Sequence, residues 1–98
     1  MRDEFRELPQ NTEVGAGMDV TLGCKPPRGE PEPRVRWLRG EQVVQPDDRV
    51  TIDDQGSLII REAKKEDAGV YVCMAYNVGG EKESPSAQLF VRGKLTHT

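Results

Sequence analysis

The chain has 98 residues, which is enough for one domain and too few for two. With 35% hydrophobic and 32% charged residues it carries one thin core, and no apolar run approaches the length of a membrane span. A formal charge of −3 and a pI near 5.2 argue against nucleic acid as a partner.

The start, "MRDEFREL", is charged and has no signal-peptide pattern. It fits either a cytosolic protein or one module cut from a longer chain. Residues 1–93 read as a single domain, and 94–98, the last five residues of the closing "GKLTHT", as a linker or tag remnant. "MDVTLGC" alternates, with Val20, Leu22 and Cys24 on one face. Next comes "CKPPRGEPEPRVRW", which holds four of the seven prolines. Pro26, Pro27, Pro31 and Pro33 contain no P-x-x-P pair, so an SH3-type ligand is disfavoured. A stiff loop between two strands accounts for them, because proline fixes φ and lowers the entropy lost on folding.

"VRW" then places Val35 and Trp37 on one face. "RVTI" and "GSLII" flank the turn signal "DDQG". "AKKEDAG" reads as a turn with one turn of helix. "GVYVCMAYN" is the longest strand candidate, "NVGG" a tight hairpin, and "SAQLFVRG" the closing strand. Seven to nine strands with regular turn signals and no helix period predict an all-β sandwich of two antiparallel sheets.

Cys24 and Cys73 are the only cysteines, and both fall on the apolar phase of a strand. Trp37 follows the first by 13 residues. Two readings stand at this point: a bridge between the sheets with the indole packed on it, or two buried thiols. A bridge closing this loop would contribute roughly 4 kcal/mol. Tyr71 lies two residues before Cys73, the position of a tyrosine corner, and Asp67 is expected to pair with Arg49.

These residues resemble the immunoglobulin I-set family over nearly the whole chain. The matching pieces are "G-x-x-V-x-L-x-C" from Gly17 to Cys24, Trp37, "L-x-I" from Leu58 to Ile60, "D-A-G-x-Y-x-C-x-A-x-N-x-x-G" from Asp67 to Gly80, and "L-x-V" from Leu89 to Val91. "RDEFRELP", "PPRGEPEP" and "GEKES" are similar to the second immunoglobulin domain of Roundabout (Robo) axon-guidance receptors. Arg39-Gly40 departs from that family, which more often has a Lys-Asp-Gly turn. The resemblance implies an I-set sandwich with one Cys24–Cys73 disulfide. It implies the extracellular part of a single-pass plasma-membrane receptor, beside other immunoglobulin domains, with a Slit-type ligand and heparan sulfate as partners. The alternatives are a structural I-set module of an intracellular giant muscle protein, or a module of another cell-adhesion receptor.

Enzymatic residues are missing. His97 is the single histidine and sits in the tail, so no Ser-His or Cys-His nucleophile is available. There is no zinc set, and Asp47-Asp48 and Asp53-Asp54 lack the spacing of a calcium loop. Asn11 and Asn77 are not in glycosylation sequons. The chain is expected to be a binding module without cofactor.

Two surfaces are candidates for binding. Residues 25–40 carry five bases (Lys25, Arg28, Arg34, Arg36, Arg39) against Glu30 and Glu32, a local +3. With Arg2 and Arg6 these bases form a candidate glycosaminoglycan patch, and the competing reading is a solvated face. The second surface comes from alternation. If Trp37, Cys73 and Leu89 point inward, then Arg36 and Leu38, Val72, Met74 and Tyr76, and Gln88 and Phe90 point outward. Leu38, Val72, Met74, Tyr76 and Phe90 would then form an apolar partner face for a weak homodimer or a neighbouring domain. The competing reading is that loops or the tail cover it.

Overall fold

The computed structural model describes residues 3–93. They form nine strands: β1 (Thr12–Gly15), β2 (Val20–Leu22), β3 (Arg34–Arg39), β4 (Gln42–Val43), β5 (Val50–Ile52), β6 (Leu58–Ile60), β7 (Gly69–Asn77), β8 (Gly80–Glu83) and β9 (Ala87–Arg92). One 3-10 turn covers Lys65–Asp67. The larger sheet runs β1-β9-β7-β3-β4, with β8 beside the second half of β7, and the smaller runs β2-β6-β5. Every pairing is antiparallel except β1 with β9, which is parallel from Thr12↔Leu89 to Gly15↔Arg92.

Side-chain alternation decides which face of each strand is buried. In β7, Tyr71, Cys73 and Ala75 are buried while Val72, Met74 and Tyr76 are partly open to solvent. Leu22, Leu58, Ile60 and Leu89 close on Trp37 from the two sheets, each essentially without exposed surface. Between them the Cys24–Cys73 bridge has an S–S distance of 2.03 Å and a Cα–Cα distance of 6.5 Å. Trp37 sits opposite Cys73 in the β3–β7 ladder. Its indole N–H donates to the carbonyl of Gly56 at 2.9 Å, so the buried polar atom is satisfied. Gly56 itself has φ of +110°, and a Cβ there would meet the Cys24 carbonyl at 3.0 Å. This turn therefore needs glycine for both its backbone and its space.

The proline run is a packed loop between β2 and β3. Pro26, Pro27 and Pro33 are buried, and residues 28–32 are exposed. The Pro31 carbonyl accepts from Asn77 Nδ2 at 2.9 Å, which ties the loop to the end of β7. The chain's first described segment also joins this pole: Glu7 and Lys25 form an antiparallel bridge, and Lys82 Nζ donates to the Asp3 carbonyl at 3.0 Å.

The closing strand differs from the sequence reading. "NVGG" turns β7 into β8, not into the "SAQLFVRG" strand, and Ser84–Ser86 separates β8 from β9. Pro85 has no N–H and cannot sit inside a ladder. Ser84 bridges the gap by donating its backbone N–H to the Cys73 carbonyl (2.8 Å) and accepting the Cys73 N–H on Oγ (3.0 Å). The proposed terminal segment 94–98 lies outside the described residues.

Candidate interaction surfaces

The turn before β7 fixes how the long strand enters the sheet. The Tyr71 hydroxyl donates to the Asp67 carbonyl at 2.6 Å across the corner. The Asp67 carboxylate is only 7% exposed as a residue and takes three donors: Arg49 Nη1 at 2.7 Å, Arg49 Nη2 at 3.0 Å and the Lys64 amide at 2.7 Å. Burial pushes its pKa up, but the Arg49 guanidinium and the Lys64 amide outweigh that and hold it below the usual carboxylate value. The hydrogen bond to Asp67 raises Arg49 in turn. This cluster joins the β5 end of one sheet to the β7 end of the other. It is structural, and it leaves no group free for chemistry.

The basic candidates separate into distinct regions. Arg6, Lys25 and Arg34 line an open groove of about 710 Å3 at the pole holding the proline loop, together with Glu32, Asp53, Asp54 and Tyr76. Arg6 donates from Nε to the Pro26 carbonyl at 2.9 Å and stands 3.9 Å from Glu32. Lys25 stands 3.9 Å from Glu7. Arg28 is exposed in the loop. Arg36 is on the open face of the large sheet, its guanidinium 4.4 Å from the centre of the Tyr76 ring. Arg39 is at the other end of β3, donating to the Glu66 carbonyl at 2.7 Å. Strand length separates Arg39 from the groove, since five steps of β3 span roughly 17 Å. Arg2 lies outside the described residues. Three acids opposite three bases make the groove electrostatically mixed.

The sheet-face candidates keep a fixed register. Leu38 is opposite Val72, Arg36 opposite Met74, and Arg34 opposite Tyr76. Phe90 is exposed but sits opposite Glu13 of β1, away from the other four. Val70 and Val43, both exposed, belong to the same face and were not among the candidates. Val43 pairs with Leu38 in β4, a strand of only two residues that leaves no alternation to read. Val70 continues the alternation of Val72 and Met74, so the signal for it was present in the "GVYVCMAYN" run.

Among the described residues, no group of His, Cys, Asp and Glu is placed to hold a metal, and no helix is long and apolar enough to cross a membrane.

The family model of the immunoglobulin I-set domain matches residues 3–91. Human Roundabout homolog 3 is 44% identical over 92 residues, covering 93% of this chain and 7% of that protein. The chain thus spans less than a tenth of the length of that relative. Among solved structures, the tandem immunoglobulin repeats of Dlar superpose with a TM-score of 0.88 at 28% identity, covering 95% of this chain and 49% of that one. The titin and obscurin-like 1 immunoglobulin complex gives 0.85 at 33% identity, covering 94% and 95%. The inter-sheet disulfide, the tryptophan upon it, the tyrosine corner and the parallel first-to-last strand pairing make one frame with these matches: the chain belongs to the immunoglobulin I-set family.

Proposed function

We propose that the chain is an extracellular immunoglobulin module of a Roundabout-like, single-pass axon-guidance receptor. It contributes to recognition of a Slit-type ligand and heparan sulfate, and packs against neighbouring immunoglobulin domains of the same chain. The likeness to the Roundabout relative carries this reading, because it runs through almost the whole domain. The formed disulfide suits an oxidising compartment. The tandem arrangement of the Dlar repeats supports end-to-end packing with a neighbour.

For heparan sulfate, the groove at the proline-loop pole offers Arg6, Lys25 and Arg34 to sulfate groups. Asp53, Asp54 and Glu32 oppose them, so binding is weak and salt-sensitive, exposed charges being screened within about 8 Å at physiological ionic strength. Heparin chromatography of the 98-residue chain tests this. Arg6→Ala with Lys25→Ala should elute at clearly lower salt than wild type, and equal elution overturns the assignment. Binding to Slit, with and without the N-terminal neighbouring domain, tests the ligand reading separately.

The likeness to the titin and obscurin-like 1 complex favours a second reading, a structural module of a muscle protein. Thiol titration of protein taken from its native source separates the two. Two free thiols favour the muscle module, and a bridge favours the receptor.

A further inference from the structure

The open face of the large sheet is striped. Along β3 it carries Arg34 and Arg36, along β7 Tyr76, Met74, Val72 and Val70, and along β8 Glu81 and Glu83. The register fixes two rows, Arg34–Tyr76–Glu81 and Arg36–Met74–Glu83, each basic, then apolar or aromatic, then acidic. Adjacent strands lie about 4.8 Å apart, so the charged columns are roughly 10 Å apart with β7 between them. All four charged residues are exposed, and none makes an ion pair within the described part of the chain. A further row, Val43–Leu38–Val72, continues the apolar surface across β4, β3 and β7.

We propose that this face binds a second copy of the same chain, in a two-fold dimer whose axis runs along β7. The stripe order selects that axis. A two-fold rotation about the β7 direction lays the arginine column of one copy over the glutamate column of the other, twice, with the apolar column over itself. A two-fold rotation across the strands would instead set arginines on arginines and glutamates on glutamates, which repel. An isologous contact with unlike charges facing each other is self-complementary. Strands of the two copies therefore run in the same direction, and both N-termini leave at one end. On the receptor reading, that is the arrangement of two chains rooted in one surface; the geometry itself does not depend on that reading.

The contact is small. The symmetric footprint of three strands (β3, β7, β8) by five residues covers on the order of 240 Å2 per copy, against about 800 Å2 per partner in a standard interface. The dimer is accordingly weak in solution and strengthened where chains are held close together.

Sedimentation equilibrium of the 98-residue chain from about 10 µM to about 1 mM tests the proposal. Wild type should show reversible dimer formation that weakens several-fold as salt rises. Arg34→Glu with Arg36→Glu makes both outer columns acidic and should weaken self-association at least tenfold. Adding Glu81→Lys and Glu83→Lys to that variant exchanges the stripes and should restore it. Trp37 fluorescence and the circular dichroism of each variant establish that it is folded. A wild type that stays monomeric at 1 mM, a charge-reversed pair that associates like wild type, or a folded stripe-exchanged variant that fails to recover would each overturn the proposal.

Discussion

Asp67→Asn keeps the shape of the buried side chain and removes its charge. In the folded protein Asp67 takes both Arg49 Nη atoms and the Lys64 amide. The amide side chain has one acceptor oxygen, so it cannot satisfy all three donors. Breaking a fully buried ion pair by removing one partner costs about 3–5 kcal/mol. Here the Arg49 side chain is 25% exposed and still reaches the Arg61 carbonyl at 3.1 Å, so the cost falls to about 2 kcal/mol. For a domain of this size that lowers Tm by roughly 10 °C. The pH dependence follows from the lowered Asp67 pKa. A carboxyl depressed in the folded state stabilises above its unfolded value of about 3.9, and that stability is lost as pH falls through the folded value. Protonated Asp67 is then nearly isosteric with asparagine. Thermal melts of both proteins should therefore differ fully at pH 7 and converge at strongly acid pH. A Tm difference below about 3 °C at pH 7, or one that persists undiminished after Asp67 is protonated, would refute this account of the cluster.

Replacing Cys24 and Cys73 together by Ala should lower the urea-extrapolated stability by about 4 kcal/mol, within the usual 2–5 range for such a loop; a loss under about 1 kcal/mol would show that the bridge does little. Gly56→Ala should destabilise by about 1–3 kcal/mol, since φ is +110° and the added carbon meets the Cys24 carbonyl; a neutral effect in the same assay would mean the turn relaxes freely.

The sequence carried the frame of the fold because that frame rests on local alternation. "MDVTLGC", "GVYVCMAYN" and the spacing to Trp37 each place an inward face without knowledge of the partner strand. The parallel pairing of β1 with β9 was not legible, because the two strands are far apart in sequence. "TEVG" is four residues long with one buried side chain, and nothing in it specifies a neighbour. The break between β8 and β9 was marked by Pro85, but its repair by Ser84 depends on Cys73 being opposite. That opposition is a product of the fold and could not be counted from the sequence.

The candidate surfaces show the same division more sharply. Charge counted along residues 25–40 joins Arg34, Arg36 and Arg39 into one run, yet strand alternation keeps only Arg34 and Arg36 on the open face and sends Arg39 elsewhere. Arg34 stands opposite Tyr76 at the edge of the polar groove, Arg36 covers the Tyr76 ring, and Arg39 caps the far turn at Glu66. A linear charge sum becomes a surface charge only for the residues that share a strand face. The glutamates that answer Arg34 and Arg36 lie near residue 82, in "GEKES", over 40 positions away. Only the register of β7 against both β3 and β8 turns those two distant pairs into parallel columns of opposite sign. A property of that kind belongs to strand pairing, and so an exchange of charge between the columns should conserve self-association while a one-sided reversal should weaken it by about tenfold or more.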